Sequence, residues 1–310
     1  MANKIMLGGN IFSYALTKKE TKFLLDFALD HGCAAVDTAD VYSNGKSEQF
    51  LGSAIENRKN WFIASKIGVH SGQKIERINT KKNIFIRIEE SLKRLKTDYI
   101  DLYQLHHFDK TVPIEETFDA LEELKKEGKI IEYGVSNFSP KEISSIKNNH
   151  LKGLYSNQVH FNLINNEAET LFKEYYNKGL KLIAYNVLAR GVLRNDFLNL
   201  DYKSFRSEKS ISVNEDINEE LRLILLEMQS ISSRHKINIA QLAFEYANDQ
   251  EFINKVIVGV RTTEQLKNFI DINKSSSKVE WMDLLKQISK ITQRNNFDLG
   301  SYNFYKNLKD

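Results

Sequence analysis

The strongest constraint on the fold is a regular alternation of short apolar segments with longer amphipathic segments along the 310-residue chain. The short segments are rich in β-branched residues and are bounded by polar residues or glycine, as is typical of strands buried in a parallel sheet. Eight strands are predicted in this way, at Lys4–Leu7, Ala34–Asp37, Trp61–Ser65, Tyr99–Gln104, Ile131–Val135, Gly153–Asn157, Leu180–Ala184 and Lys255–Val258.

The segments between these strands have the periodicity and the boundary residues of helices. Thr17 is a predicted N-cap with Glu20 three positions further on, as in a capping box, and Gly32 follows the end of that helix. The predicted helices are Thr17–His31, Asn79–Leu95, Ile114–Glu127, Pro140–Asn148, Glu167–Asn177, Asn238–Ala247 and Thr262–Asp271, with two more near Ile217–His235 and Trp281–Gln293.

Strand–helix units joined by right-handed crossovers close into an α/β (β/α)8 TIM barrel, here with extra helices and a C-terminal tail. The alternative, a doubly wound sheet, needs a glycine-rich fingerprint after an early strand, and Gly8-Gly9-Asn10 lacks the third glycine. No low-complexity linker divides the chain, so we predict one domain over residues 1–310. The polar stretch Arg194–Asn218 follows the seventh strand and is a candidate lid.

Charge and cysteine content narrow the class of protein. A net charge of +3 argues against a nucleic-acid or membrane-surface partner. The single cysteine, Cys33, rules out an intramolecular disulfide and fits a reducing compartment. No apolar run reaches the roughly eighteen residues of a membrane span, and the N-terminal apolar run is too short for a signal peptide. We therefore expect a cytoplasmic protein, and the oligomeric state stays open.

Ionisable side chains stand where successive strands end. Asp37 closes the second strand with Tyr42 in the next loop, Lys66 follows the third, and His106 follows the fourth. Singly, each has a structural explanation, such as a turn aspartate or a solvated lysine. Because the carboxyl ends of barrel strands meet at one face, we expect these side chains to form one site.

The four residue types suit one reaction. A tyrosine with a pKa near its usual ~10 donates a proton poorly at neutral pH unless its phenolate is stabilised. A close Lys66 ammonium is expected to lower the pKa of Tyr42, and a buried ammonium needs a carboxylate such as Asp37. His106 could donate to a carbonyl oxygen. Such a site suits protonation of an alkoxide as hydride reaches the carbon; Asp40 receives no role.

At these positions the sequence resembles the aldo-keto reductases over roughly Ile5 to Ile270. The matching blocks keep the family's order and are Asp37-Thr38-Ala39, Tyr42, Gly45, Lys66, Leu105-His106, Gly134-Val135-Ser136-Asn137-Phe138, Asn157-Gln158-Val159 and Ala184-Tyr185. The resemblance implies a reductase that uses NAD(P)H, with a catalytic tetrad of Asp37, Tyr42, Lys66 and His106.

The resemblance also implies an extended nicotinamide cofactor. Ser136, Asn137 and Gln158 would hold its carboxamide, and Tyr185 would stack on the nicotinamide. The residues over the pyrophosphate would be Asn186, Leu188, Arg190, Gly191 and Leu193, and those at the adenosine end would be Gly259, Arg261, Gln265 and Asn268. Two departures from the family are Asn186-Val187, where Ser-Pro is frequent, and Val258, where proline is frequent.

Cofactor choice depends on Arg261, whose guanidinium could meet a 2′-phosphate or could stack on adenine. We favour NADP(H) over NAD(H), and we assign no metal ligand.

The substrate is expected to be a small carbonyl compound. Phe12 and His107 are the predicted substrate-binding residues, with Tyr14, His160 and Asn162 as further candidates. The polar members of this set favour a polyol or sugar-type carbonyl over a steroid. Two alternatives stay open: a non-catalytic barrel that senses nicotinamide state for a partner, and a lyase or aldolase in which Lys66 forms a Schiff base.

Overall fold

The computed structural model describes residues 3–69, 73–195, 215–272 and 282–289. Its parallel strands form a closed barrel in chain order, and the last strand pairs with the first. The strands are β1 (Ile5–Gly8), β2 (Ala35–Asp37), β3 (Phe62–Ile67), β4 (Ile100–Leu105), β5 (Ile130–Ser136), β6 (Leu154–His160), β7 (Lys181–Tyr185) and β8 (Ile253–Val258). All eight predicted strands, and the (β/α)8 fold they imply, are confirmed.

Helices surround the barrel in the connections between strands. They are α1 (Lys18–Asp30), α2 (Lys46–Ala54), α3 (Lys81–Leu95), α4 (Ile114–Lys126), α5 (Pro140–Ser144), α6 (Asn148–Gly153), α7 (Ala168–Leu171), α8 (Lys173–Asn177), α9 (Glu215–His235), α10 (Ile239–Asn248) and α11 (Thr263–Asp271), and residues 282–289 are also helical. The predicted capping box before α1 is present, since Thr17 and Glu20 bond each other's backbone N–H groups. Within the described residues, no helix is both long and apolar enough to span a membrane.

Two predicted helices are interrupted. The predicted helix Glu167–Asn177 breaks at Phe172, which has φ −104° and ψ 8° and is fully buried. The predicted helix Pro140–Asn148 ends at Ser144, and the buried Ile146 lies in the connection to α6. In both places the break lies beside an apolar side chain buried in the core. Residues 196–214 of the predicted lid, and most of the predicted C-terminal tail, lie outside the described residues.

Strand periodicity positions the polar residues at the barrel mouth. A small apolar cluster contains Ala35 of β2, Ala64 of β3 and Leu102 of β4, with Met6 and Ile183. Side chains two residues apart on a strand point to the same face. Asp37, Lys66, Gln104 and Tyr185 each stand two residues beyond a member of this cluster. They therefore form the next layer of the same face, at the carboxyl ends of the strands.

Candidate functional site

A cleft of about 1330 Å³ lies at the carboxyl ends of the strands. Its lining includes Tyr42, His106 and His107, together with Tyr185, Arg190 and Arg261. Its volume exceeds the roughly 300–1,000 Å³ that is common for a drug-sized ligand. It is therefore large enough for an extended ligand together with a small second molecule.

Tyr42 reaches the cleft because the chain turns sharply after it. Ser43, Asn44 and Gly45 have φ angles of 48°, 55° and 81°, in the left-handed region that asparagine and glycine tolerate best. Gly45 provides the left-handed backbone, and a Cβ there would lie 2.8 Å from Cδ of Arg94, whose side chain would have to move. The turn leads directly into α2, for which Gly45 is the N-cap.

Asp37, Lys66 and Tyr42 form a connected chain below the cleft. Lys66 Nζ lies 2.6 Å from Asp37 Oδ2 and 2.9 Å from the carbonyl oxygen of Thr38, and it is 3.4 Å from the Tyr42 hydroxyl. Lys66 is fully buried and Asp37 is nearly so. The ammonium thus has the carboxylate and the phenol that the sequence predicted as partners, and the Thr38 carbonyl in addition.

The second oxygen of Asp37 accepts from two amides. Gln158 Nε2 lies 2.8 Å from Asp37 Oδ1, and Gln104 Nε2 lies 3.2 Å from the same oxygen. Gln158 was predicted only for the cofactor, whereas its amide group also supports the carboxylate. Sequence reasoning assigned Gln104 no role. The signal that could have identified Gln104 is its spacing, since this polar side chain stands two residues beyond Leu102, a buried leucine of the same strand.

The ionisation of this chain differs from expectation at one residue. Burial raises the pKa of the Tyr42 phenol, and the Lys66 ammonium offsets that rise only in part. The predicted effect of Lys66 on the Tyr42 pKa has the expected sign, but the net pKa is raised because loss of water around the phenolate outweighs one nearby cation. Burial alone would lower the pKa of Lys66, but the Asp37 carboxylate brings the pKa above its usual value. At neutral pH the pair is thus a phenol beside an ammonium.

His106 lies beside Tyr42, with the two rings edge to face at a centroid distance of 5.9 Å. Burial, and then the Lys66 charge, hold the pKa of His106 well below its usual range, so the ring is neutral at pH 7. Its Nδ1 is buried and has no hydrogen-bond partner among the described residues. A proton on Nδ1 would be a buried orphan donor, so the proton belongs on Nε2. His107 stacks on His106 at 4.8 Å and also lines the cleft.

The predicted carboxamide residues are held together by hydrogen bonds. Asn137 has φ 61°, and its Nδ2 donates to the Ser136 hydroxyl at 3.0 Å and to the carbonyl of His106 at 3.2 Å. Its Oδ1 accepts from the hydroxyl of Tyr185 at 2.6 Å. Ser136, Asn137, Gln158 and Tyr185 all line the cleft. The structure thus brings the end of β5 and the end of β7 to the same wall as His106.

The loop after β7 is tied internally. Asn186 has φ 59°, its Oδ1 accepts from Arg190 N at 2.6 Å, and its Nδ2 lies 2.8 Å from Nε2 of His160. The backbone N–H groups of Gly191 and Leu193 donate to the Leu188 carbonyl. These N–H groups are therefore used inside the loop, and Arg190 and Arg194 are the charged residues that the loop brings to the cleft.

Two predicted residues are misplaced. Leu193 is fully buried in the hydrophobic core and does not line the cleft. Phe12 is also fully buried in the core, and its neighbour Ile11 lines the cleft instead. Both residues follow a short 3-10 helix, where the chain directs an apolar side chain inwards, and the sequence pattern did not reveal this. The predicted candidate Tyr14 is exposed and does not line the cleft.

The far end of the cleft carries the chemistry of an anion site. Gly259, Arg261, Gln265 and Asn268 all line it, as predicted. Residues at the N-termini of α10 and α11 line the same end, and a helix N-terminus favours anions through its dipole and its N–H groups. A phosphate-bearing dinucleotide fits this arrangement, with its charged end at the helices and an aromatic ring, Tyr185, at the other end of the cleft.

Comparison with known proteins supports this description. The family model described as "Aldo/keto reductase family" matches residues 4–290. The chain is 30% identical over 269 residues to the uncharacterized oxidoreductase YqkF of Bacillus subtilis, covering 85% of each protein. Among solved structures, the holo form of aldo-keto reductase AKR11C1 from Bacillus halodurans matches with a TM-score of 0.75 and 26% identity, covering 92% of this chain and 91% of that one.

A further solved structure has the same fold. An aldo/keto reductase from Klebsiella pneumoniae, in complex with NADP and acetate, matches with a TM-score of 0.72 and 24% identity over 91% of this chain and 90% of that one. Barrel and cleft together define an oxidoreductase that takes a nicotinamide cofactor. The chain belongs to the aldo/keto reductase family.

Proposed function

We propose that this oxidoreductase reduces an aldehyde or ketone with Tyr42 as the general acid. The observation that carries the proposal is the chain Asp37–Lys66–Tyr42, which ends with a phenol in the cleft wall. A reduced nicotinamide supplies the hydride when bound. The protein must then provide one proton to the carbonyl oxygen and must stabilise the charge that develops during the transfer.

Tyr42 and Lys66 divide these tasks. The raised pKa of Tyr42 keeps the proton on the phenol until the substrate oxygen becomes basic enough to take it. The phenolate that remains would lie 3.4 Å from the Lys66 ammonium. At an effective dielectric constant of about 20, that attraction is on the order of 5 kcal/mol. Asp37 keeps the ammonium charged and in place.

His106 is suited to hold the carbonyl oxygen. Its ring is neutral and its Nε2 carries the proton, so it can donate one hydrogen bond into the cleft. Two donors, Tyr42 and His106, would then converge on the same oxygen. This arrangement polarises the carbonyl group and fixes its orientation.

The cofactor is proposed to lie along the whole cleft. Ser136, Asn137 and Gln158 would contact the carboxamide, Tyr185 would stack on the nicotinamide, and Arg190 would meet the pyrophosphate. We infer a preference for NADP(H) because Arg261 is exposed at the end lined by two helix N-termini. A guanidinium there can form bidentate, charge-assisted hydrogen bonds to a 2′-phosphate.

The substrate is inferred to be a sugar-type or polyol-type carbonyl compound. Besides His107, the wall near Tyr42 contains Asn44 and Gln73, and these polar groups can bond hydroxyls. The alternative of a Lys66 Schiff base is disfavoured, because Lys66 is fully buried, does not line the cleft and is held as an ammonium. We further infer that the chain is a single domain and acts in the cytoplasm, on the composition of the sequence.

A carbonyl panel tests the proposal. Oxidation of NADPH and of NADH is followed at equal concentrations with aldoses, ketoses, polyol-derived aldehydes and apolar aldehydes. We expect turnover, with hydroxylated substrates favoured. Tyr42→Phe should reduce kcat by roughly 10²- to 10⁴-fold while the Kd for NADPH stays within about twofold. Tight NADPH binding without turnover on any substrate would instead indicate a non-catalytic sensor.

A further inference from the structure

The position of His106 depends on a close contact with Gly68. Gly68 directly follows β3 and is buried against the imidazole, where a Cβ would lie 2.5 Å from Nδ1. Because Nδ1 has no hydrogen-bond partner among the described residues, this side of the ring is held by packing alone. The Gly68 backbone therefore bounds the ring on this side, while His107 stacks against its face.

One ion pair holds both polar groups of that backbone. The N–H of Gly68 donates to Asp40 Oδ1 at 3.1 Å, and its carbonyl accepts from Arg87 Nη1 at 2.6 Å. Arg87 Nη2 in turn lies 2.5 Å from Asp40 Oδ2. Asp40, Gly68 and Arg87 thus form a closed set of contacts, which we call the Gly68 clamp.

The clamp also connects the elements that carry the other site residues. Asp40 lies two positions before Tyr42, and its backbone N–H donates to the carbonyl of Lys66 at 3.1 Å. Arg87 comes from α3. The turn that presents Tyr42, the end of the strand that carries Lys66, and the residue against His106 are therefore joined through one residue, Asp40, by its backbone N–H on one side and its buried carboxylate on the other.

Burial makes the ionised form of the Asp40 carboxyl group unfavourable. Its side chain is 2% exposed. Burial raises the pKa of Asp40 to about 7; Arg87 and the Gly68 N–H oppose the rise, and Glu48 of α2 adds to it. Arg94 of α3 also opposes the rise. The Asp40 charge in turn raises the pKa values of two nearby phenols, Tyr103 of β4 and Tyr42. A buried ion pair is weak evidence for stability, so a positional role is the better explanation for it.

We propose that Asp40 and Arg87 are positioning residues for the reduction, acting through Gly68 to fix His106 beside Tyr42. This inference rests on the proposed function and adds two residues to it that touch neither substrate nor cofactor. It predicts that loss of the clamp slows the chemical step and leaves cofactor binding intact. It also predicts that the His106 ring moves in the cofactor-free protein.

The barrel offers a closely matched control at its other end. At the amino ends of β3 and β4, Asp101 Oδ2 accepts from Ile63 N at 2.8 Å and from Arg58 Nη2 at 2.5 Å. Arg58 also donates to the carbonyl of Trp61 at 2.7 Å. Asp101 thus joins a backbone N–H and an arginine as Asp40 does, but away from the cleft.

The test compares Asp40→Asn and Arg87→Met with Asp101→Asn and Arg58→Met. We expect the clamp variants to lose about 10- to 100-fold in kcat, as for a displacement of roughly 1 Å in a reacting group, with the Kd for NADPH within about twofold. The Asp101 and Arg58 variants should keep kcat within about twofold. Equal loss of kcat in both sets would overturn the proposal.

Two further measurements keep the result interpretable. Gly68→Ala removes no charge, but its methyl group must displace the imidazole, so kcat should fall as it does in Asp40→Asn. In the cofactor-free protein, ¹⁵N ring signals of the seven histidines are recorded, with His106 assigned from His106→Gln. The His106 signals should shift in Asp40→Asn and not in Asp101→Asn. If the wild-type protein shows no turnover but the His106 signals still shift in Asp40→Asn, the proposed function is refuted and the clamp is retained. If the His106 signals do not change in Asp40→Asn, the clamp is refuted.

Discussion

The buried pair of Asp37 and Lys66 should show strong coupling in a double-mutant cycle. At a separation of 2.6 Å, two unit charges attract by about 6 kcal/mol at an effective dielectric constant of about 20. Removing either partner leaves the other charge buried, which typically costs about 3–5 kcal/mol. We therefore expect Asp37→Asn and Lys66→Met each to lower the free energy of unfolding by about that amount.

The double variant separates this effect from packing. With both charges absent, neither is left without a partner, and replacing a buried pair is often close to neutral. We expect its loss of stability to be smaller than the sum of the single losses by at least about 3 kcal/mol. The assay is urea unfolding followed by far-ultraviolet circular dichroism at pH 7.5, with the midpoints compared at a common slope.

A second pair provides the control for this cycle. Lys178 and Glu174 have the same 2.6 Å separation, but both side chains are at least 70% exposed. Because solvent screens both charges, their cycle should give far weaker coupling than the buried pair. If the losses of stability in Asp37→Asn and Lys66→Met simply add in the double variant, Asp37 and Lys66 do not form a coupled, buried ion pair. Recovered stability in the double variant should not restore turnover, because the Tyr42 phenolate would still lack a cation.

Three more predictions follow from the structure. Arg261→Ala should reduce kcat/KM with NADPH about 10- to 100-fold, the value of one or two charge-assisted hydrogen bonds, and should leave kcat/KM with NADH nearly unchanged in the same assay. Asn186→Ala should weaken NADPH binding about 5- to 30-fold in fluorescence titrations, because the bonds to Arg190 and His160 and the preference for a left-handed backbone are lost. Asp40 should make stability fall as pH rises. Its folded pKa of about 7 exceeds the unfolded value, so the folded state binds the proton more tightly between about pH 4 and pH 7. The stabilising contribution of Asp40 is complete below the unfolded pKa and is lost as pH rises through the folded pKa, which lowers the free energy of unfolding by about 4 kcal/mol in all. The urea midpoint of Asp40→Asn should therefore rise relative to that of wild type between pH 5 and pH 8.

Each of these has a result that would count against it. Equal losses with both cofactors in Arg261→Ala would indicate stacking on adenine. Unchanged NADPH binding in Asn186→Ala would mean that the loop is held by other contacts. A constant difference between Asp40→Asn and wild type across the pH range would mean that Asp40 ionises at its usual pKa.

Strand and helix positions were predictable because they depend on local pattern. The eight strands agree with the structure to within a few residues, and β6 runs furthest past its prediction, to His160 rather than Asn157. The capping residues Thr17 and Glu20 identified the start of α1 because the bonds involved span only three residues. The breaks at Ile146 and Phe172 were missed because they depend on distant core contacts.

The cleft was predictable to a similar degree. Residues at strand ends were brought together as expected, since closure of the barrel requires it. The misplaced residues, Phe12 and Leu193, lie outside the named strands and helices, where no regular period indicates which side chain points inwards.

The sequence by itself determined that the chain closes as a parallel barrel and that Asp37, Tyr42, Lys66 and His106 meet at its mouth. Strand order and two-residue periodicity place Asp37 and Lys66 at the mouth, and the loops directly after β2 and β4 bring Tyr42 and His106 to the same end. Only the tertiary structure decided the direction of the Tyr42 pKa, the amides that support Asp37, and the clamp of Asp40 and Arg87 on Gly68. These depend on burial and on contacts between residues far apart in the chain, and no local pattern encodes such distances.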